Sequence, residues 1–185
     1  MVILASASPR RRELLTRLVA DFTVMPADID ETLPTPITPA AVAGIALRKA
    51  RAVAGRAAGA VVLGADTVVV IDGQVLGKPS GPDEARRMLR QLRGRSHEVI
   101  TGVAVVDTRN GREASTAVVT RVFMAPYSDD AIEEYVSSGE PLDKAGAYAI
   151  QERGRMLVGG YVGSYTNVVG LPLEATRRLL TDFGV

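Results

Sequence analysis

Cysteine and tryptophan are absent from this sequence, and aromatic residues are scarce. The lack of cysteine excludes a disulfide framework, a zinc site with thiolate ligands and a cysteine nucleophile, and it fits a reducing compartment. Aromatic residues make up only 4% of a chain that is 46% hydrophobic, so the core must consist mainly of Val, Leu, Ile and Ala. The 185 residues suit one domain, or two small lobes that share a core.

A strong charge of one sign and long apolar runs are also missing. The formal net charge of +1 provides no broad basic field for nucleic acid. No run of about 18 apolar residues is present, as a transmembrane helix would require. The apolar run at the start is too short for a signal peptide, and basic residues follow it instead of preceding it. We therefore expect a soluble, cytoplasmic protein without a membrane or nucleic-acid partner.

Apolar periodicity and turn residues predict strands that alternate with helices in the first half and a strand hairpin in the second. The predicted strands are 2–6, 22–25, 60–71, 97–107 and 114–124, with a Gly-rich strand region near the end. The predicted helices are 9–18, 38–58, 85–92, 128–139 and one from about 173. This order of elements favours an α/β fold with a mixed sheet and flanking helices.

The stretch 60–71 is predicted as two strand pieces joined at 64–67, followed by a hairpin turn at Asp72-Gly73. Asp66 lies between the two apolar pieces, where a charge is costly unless it is paired or coordinated. Thr67 beside it adds a hydroxyl. Asp66 is therefore a candidate base or metal ligand, and the alternative is an Asp that makes a bulge or an Asx-turn.

The first predicted helix has an unusual concentration of positive charge at its start. Ser8 is expected to cap the helix with Pro9 in the first position, which places Arg10, Arg11 and Arg12 in the first turn. The helix dipole is positive at that end, so cations are unfavourable there. A bound phosphate would use both the free N–H groups and the guanidinium groups. The alternative is a solvated basic helix start.

Three acidic residues lie in a proline-rich loop at 26–39, namely Asp28, Asp30 and Glu31. Carboxylates without neighbouring His or Cys suit a hard cation such as Mg²⁺. A solvated acidic loop is the alternative.

Two lysines are candidate phosphate ligands. Lys78 ends the segment GQVLGK, but the glycine spacing is one residue short of a Walker motif and Pro79 stands where Ser or Thr is required. Lys49 lies on the long Ala-rich helix. For both lysines a structural role is an equally good interpretation.

The segment DKAGAYAIQ, residues 143–151, places an amide after an apolar pair. Gln151 is expected to end a strand, from which its amide can read a pyrimidine edge by donating one hydrogen bond and accepting another. The alternative is an amide bonded to the backbone. Asp143 and Lys144 are expected to form an ion pair.

Two common enzyme motifs are absent. The single histidine, His97, is interpreted as structural, because no G-x-S-x-G elbow accompanies it. Gly159, Gly160 and Gly163 do not have the G-x-G-x-x-G spacing of a dinucleotide site.

Six segments in this order along the chain resemble the Maf family. They are SASPRRRELL, LGADTVV, LGKP, HEVITGVAV, DKAGAYAIQ and GSYTNVVGLPLE. The resemblance implies one Maf-type nucleotide pyrophosphatase domain over 1–185. The implied fold is related to the inosine triphosphate pyrophosphatases, with two lobes around a cleft. It also implies a divalent metal, Mg²⁺ with Mn²⁺ as an alternative, and a homodimer.

Within the family, the chain resembles the branch that hydrolyses dTTP and UTP. Arg10, Thr67 and Gln151 carry the signature of that branch and are implied to determine substrate specificity. Ala7 and Glu152 stand where the family frequently has Gly. The alternatives are a 7-methyl-GTP pyrophosphatase of the same family and a nucleotide-binding regulator of cell division without turnover. A single-stranded RNA-binding module is disfavoured, because no aromatic residues are interleaved with basic runs.

The resemblance also implies roles for the other candidate residues. Asp66 is the implied proton acceptor and a metal ligand, and Glu31 is the implied second carboxylate, which binds the metal or positions the water. The implied phosphate contacts are Ser8, Arg11, Lys49 and Lys78.

Overall fold

The computed structural model describes all 185 residues and has a mixed α/β fold. The strands are β1 (Val2–Leu4), β2 (Phe22–Val24), β3 (Val61–Ile71), β4 (Gln74–Leu76), β5 (Ser96–Asp107), β6 (Glu113–Met124) and β7 (Val158–Val162). The helices are α1 (Pro9–Leu15), α2 (Pro39–Ala54), α3 (Pro82–Leu92), α4 (Asp129–Ser137), α5 (Tyr165–Val169) and α6 (Leu173–Asp182). The predicted mixed sheet with flanking helices is confirmed.

The seven strands form one sheet in the order β2-β1-β3-β5-β6-β7, with β4 paired to β3. β1 pairs in parallel with both β2 and β3, whereas β4 and β7 pair antiparallel to their neighbours. None of the helices has the length and apolar composition needed to cross a membrane.

The chain divides into two compact units. Unit 1 contains 1–67, 101–118 and 166–185, and unit 2 contains 68–100 and 119–165. Strands β3, β5 and β6 contribute residues to both units. α1, α2 and α6 belong to unit 1, and α3, α4, β4 and β7 belong to unit 2.

Helix α2 packs very closely against the sheet in unit 1. A Cβ added at Gly64 would overlap the carbonyl oxygen of Ala46, and one at Gly102 would lie 2.5 Å from the carbonyl oxygen of Val42. Small residues on both sides permit this approach. Gly64 is therefore required by helix–strand packing and marks no interruption. The predicted break at 64–67 is wrong, because β3 is one continuous strand.

The predicted helix starts are confirmed by their caps. The Ser8 hydroxyl accepts from the backbone N–H of Arg11 at 3.4 Å, and the Thr38 hydroxyl accepts from that of Ala41 at 3.2 Å. The helix ends were predicted too late: α1 ends at Leu15, and α2 ends before the C-cap residue Gly55. Side-chain periodicity continues beyond the last helical turn in both cases, which explains the error.

In unit 2, α3 buries the predicted apolar face and the Asp72-Gly73 turn joins β3 to β4. Both turn residues have positive φ, 51° and 74°, as a tight hairpin requires. The stretch between α4 and β7 contains three short 3₁₀ turns, Glu140–Asp143, Ala145–Ala147 and Glu152–Leu157.

The predicted strand ending at Gln151 is wrong, because Gln151 precedes a 3₁₀ turn and lies in no strand. The chain folds tightly here: a Cβ added at Gly154 would overlap the carbonyl oxygen of Ala149. Glu152 has a φ of 51°, a left-handed conformation that glycine adopts more easily. Alternating apolar residues cannot reveal such a turn.

Candidate active site

The candidate site in unit 1 begins where β1 stops beside β3. The last pair between these parallel strands is Leu4 with Leu63, after which β3 continues through Gly64 to Thr67. The chain leaving β1 leads to Ser8 and the start of α1. Carboxyl ends of parallel strands are the usual place for ligands in open α/β sheets.

An ion triad with two buried members occupies the α2 side of this region. Lys49 Nζ donates to Asp66 Oδ1 at 2.7 Å and lies 2.8 Å from Glu31 Oε1. Lys49 and Asp66 are each only 6% exposed, whereas the Glu31 side chain is 56% exposed. The triad carries one net negative charge and opens to solvent through Glu31.

The triad explains how two charged residues are tolerated in an apolar environment. Each charge has a partner within hydrogen-bonding distance, which offsets the cost of removing both from water. Removing one partner of such a pair typically costs about 3–5 kcal/mol, because it leaves the other charge uncompensated. The sequence predicted a phosphate contact for Lys49, and the structure places its ammonium group between two carboxylates.

The acidic loop does not form a metal cluster by itself. No three His, Cys, Asp or Glu side chains gather in a way that could hold a metal ion. Asp30 accepts from the backbone N–H of Thr32 at 2.9 Å and from its hydroxyl at 2.6 Å, and these bonds lower the pKa of Asp30.

Glu31 and Asp66 remain as candidate metal ligands, because both carboxylates contact the Lys49 ammonium group. Mg²⁺ is usually bound by one or two carboxylates together with substrate phosphates and waters. The two carboxylates therefore fit a divalent cation that completes its coordination with substrate oxygens.

Arg11 is tied to three parts of unit 1. Its Nε donates to the carbonyl oxygen of Gly170 at 2.9 Å, Nη1 to Ser6 Oγ at 3.1 Å, and Nη2 to Thr67 Oγ1 at 2.9 Å. Burial lowers the pKa of Arg11, and the neighbouring Asp66 and Glu31 carboxylates oppose that shift. Arg11 thus fixes the start of α1 against β3 and the end of α5, while other guanidinium N–H groups remain for a ligand.

Thr67 continues this network on the face opposite to Asp66. Consecutive side chains of a strand point to opposite faces, and the contacts agree: Asp66 meets α2, and Thr67 meets Arg11. Thr67 Oγ1 lies 3.0 Å from Thr101 Oγ1, whose hydroxyl donates to the carbonyl oxygen of Asn167 at 3.0 Å.

The remaining candidate residues are placed as follows. Arg10 is half-buried in the first turn of α1. Lys78 is exposed after β4, and Gln151 is half-buried before the last 3₁₀ turn. These last two residues belong to unit 2, so the predicted contacts of Lys78 with phosphate and of Gln151 with the base stay predictions.

Four network residues were missed at the sequence level: Ser6, Thr101, Asn167 and Gly170. Thr101 lies in a run of buried apolar residues of β5. A lone polar residue in an apolar run is the same signal that identified Asp66, so this residue could have been found. The backbone oxygens of Asn167 and Gly170 act without any side-chain signal.

The structural interpretations of two unit 2 residues agree with the contacts. His97 is 3% exposed, and its Nε2 lies 2.7 Å from the Tyr148 hydroxyl oxygen. Burial lowers the pKa of His97 to about 4. Lys144 Nζ donates to Asp143 Oδ1 at 2.8 Å, so the expected ion pair is present.

Comparisons with known proteins agree with the resemblance in the sequence. The profile of the family described as Maf-like protein matches residues 1–183. A dTTP/UTP pyrophosphatase of Moorella thermoacetica is 56% identical over 185 residues, covering 100% of this chain and 95% of that protein. Proteins of the same name from Symbiobacterium thermophilum and Thermococcus onnurineus are 52% and 50% identical, covering 99% and 100% of this chain and 94% and 100% of their own lengths.

Proposed function

The chain belongs to the Maf family, and on this basis we propose that it hydrolyses dTTP and UTP to the nucleoside monophosphate and pyrophosphate. The observation that carries the proposal is the triad of Asp66, Lys49 and Glu31, which holds a buried carboxylate where β1 ends. Modified pyrimidine triphosphates of similar shape fit the same proposal.

Asp66 is the proposed proton acceptor. Its carboxylate takes a proton from, or orients, a water molecule that attacks the α-phosphorus, and the pyrophosphate leaves. Lys49 holds this carboxylate in place through a 2.7 Å hydrogen bond, so little reorganisation is needed during the reaction. A base fixed on a continuous strand and an adjacent helix is more rigidly positioned than one on a loop.

Glu31 and Asp66 are the proposed ligands of a divalent cation, with Mg²⁺ favoured and Mn²⁺ as an alternative. Such a cation supplies neutralisation of the negative charge that develops on the leaving pyrophosphate. Glu31 is the exposed member of the triad and can change partners without disturbing the core.

Ser8, Arg11, Lys49 and Lys78 are the proposed phosphate contacts, and Arg10, Thr67 and Gln151 are the proposed specificity residues. The support for Ser8, Arg10 and Arg11 is their position at the positive end of α1. For Lys78 and Gln151 the support is the match to family segments alone.

We further propose that the protein acts in the cytoplasm as a homodimer without a nucleic-acid or membrane partner. The family resemblance supports the dimer, and a net charge of +1 supports the absence of a nucleic-acid partner. Light scattering coupled to size-exclusion chromatography tests the dimer, and a monomer at micromolar concentration would contradict it.

A panel of nucleoside triphosphates with Mg²⁺ tests the activity. We expect dTTP and UTP to be converted rapidly, whereas CTP, ATP, GTP and 7-methyl-GTP should be poor substrates. A preference for 7-methyl-GTP would identify the protein as a 7-methyl-GTP pyrophosphatase of the same family. Tight binding of UTP without turnover would identify a nucleotide-binding regulator instead.

A further inference from the structure

The hydrogen bonds from Arg11 to Asn167 can run in only one direction. A guanidinium group only donates and a carbonyl oxygen only accepts. Thr67 Oγ1 therefore accepts from Arg11, and the Thr101 hydroxyl donates to the carbonyl oxygen of Asn167. The Thr101 hydroxyl hydrogen is used in that bond, so a hydrogen bond across the 3.0 Å contact between the two hydroxyls is donated by Thr67 and accepted by Thr101.

The proton of Thr67 has no other destination of equal quality. The carbonyl oxygen of Gly170 lies 3.5 Å from Thr67 Oγ1 and already accepts from Arg11 Nε at 2.9 Å. Whether Thr101 Oγ1 or the carbonyl oxygen of Gly170 accepts this hydrogen bond, the Thr67 O–H points into the protein. The Thr67 hydroxyl can therefore offer an incoming molecule a lone pair but no proton.

Thr67 is also the one residue of β3 whose side chain is partly accessible to a ligand. Every other residue of this strand is buried, and Thr67 alone is half-buried. Thr101 is 0% exposed, so it acts on any ligand only through Thr67.

We propose that Thr101 is a positioning residue for base specificity: it accepts a hydrogen bond from the Thr67 hydroxyl, so that Thr67 can only accept from a ligand and reads the N3–H of uracil or thymine. Cytosine has an unprotonated N3, and two acceptors would face each other. The inference rests on the proposed function, since it assigns the contact that distinguishes UTP from CTP.

Thr101→Val tests the proposal because it removes the acceptor and keeps the shape of the side chain. With the 3.5 Å contact to Gly170 as the remaining alternative, the Thr67 hydroxyl can rotate and donate to a ligand. We expect the ratio of kcat/KM for UTP over CTP to fall by about tenfold or more, as expected for one misdirected hydrogen bond. Thr101→Ser retains the hydroxyl and should keep the wild-type ratio.

Thr176→Val is the matched control. Thr176 is also 0% exposed and its hydroxyl donates to a carbonyl oxygen, that of Pro172 at 2.9 Å, but it has no contact with Thr67. This variant should melt at a lower temperature without any change in the UTP to CTP ratio. An unchanged ratio in folded Thr101→Val, or an equal change in Thr176→Val, would overturn the proposal.

Binding measurements separate this proposal from the proposed activity. Dissociation constants for non-hydrolysable UTP and CTP analogues give the same ratio without turnover. If the wild-type protein binds the UTP analogue selectively but releases no pyrophosphate, the activity is refuted and the role of Thr101 is still measured. If Thr101→Val does not fold, Thr101→Ala removes the same acceptor with less apolar volume, and the same fall in the ratio is expected.

Discussion

Asp66 and Thr67 are consecutive residues of β3 whose side chains lie on opposite faces of the sheet. Asp66 accepts a hydrogen bond from Lys49 of α2, and Thr67 accepts one from Arg11 of α1. The two residues therefore belong to separate hydrogen-bond networks, although the Asp66 carboxylate also acts on Arg11 electrostatically. Substitutions at the two positions should consequently affect different quantities, namely turnover for Asp66 and base preference for Thr67.

Asp66→Asn should abolish most turnover. The protein should stay folded but melt at a lower temperature, because Lys49 loses one of its two carboxylate partners and keeps Glu31. The amide cannot accept the proton of the attacking water, and loss of a base or of a metal-bound water typically lowers kcat by about two to four decades. Steady-state kinetics with UTP and a thermal melt measure the two effects. A folded Asp66→Asn protein with turnover near that of the wild type would remove Asp66 from the mechanism.

Glu31→Gln should weaken the response to Mg²⁺ with little effect on stability, because the Glu31 side chain is 56% exposed. We expect the Mg²⁺ concentration for half-maximal activity to rise by about tenfold or more, in line with the loss of one carboxylate ligand. Asp28→Asn removes a charge from the same exposed loop and serves as the control. Equal Mg²⁺ dependence in both variants and the wild type would exclude Glu31 as a ligand.

Gly64→Ala should strongly destabilise the fold, because the added Cβ would overlap the carbonyl oxygen of Ala46 and lie 2.9 Å from the backbone nitrogen of Ala50. Overpacking typically costs about 1–3 kcal/mol and occasionally more, and rigid backbone at this distance favours the upper end of that range. Gly44→Ala in α2 would meet no atom within 4 Å beyond its chain neighbours and the backbone of its own helix, and it should stabilise the helix by about 0.5–1 kcal/mol. Urea denaturation compares the two, and equal midpoints would contradict the close packing.

His97 should make the protein less stable as the pH falls from 6.5 towards 4. Burial lowers the pKa of His97 from 6.5 to about 4, so in this window the unfolded chain binds a proton that the folded chain does not. The free energy of unfolding should decrease by about 3 kcal/mol from this residue. His97→Gln removes the titration and should flatten the pH profile relative to the wild type. Parallel profiles for the two proteins would show that His97 is protonated in the folded state.

Much of the fold could be predicted because its signals are local. The caps Ser8 and Thr38 and the Asp72-Gly73 turn have local sequence signatures. Gly64 was misinterpreted because its reason is tertiary: α2 lies against it, and the sequence near Gly64 contains no sign of that helix. The turn at Gln151 depends likewise on backbone contacts around Gly154.

The candidate site was predicted residue by residue, but its connections were not. The sequence identified Asp66, Glu31 and Lys49 one by one. Their contact through the Lys49 ammonium group could not be predicted, because it requires a loop, a helix and a strand to meet in three dimensions. The role of Thr101 was not predicted, because burying a hydroxyl costs less free energy than burying a carboxylate. A buried threonine in an apolar run is therefore a weaker indication of function.

Hydrolysis of UTP in ¹⁸O-labelled water tests the proposed reaction most directly. Attack of water on the α-phosphorus predicts one labelled oxygen in UMP and unlabelled pyrophosphate, both detectable by mass spectrometry. The same experiment with Asp66→Asn should form both products about two to four decades more slowly. Label in pyrophosphate, or UDP with labelled phosphate as the first products, would contradict attack at the α-phosphorus.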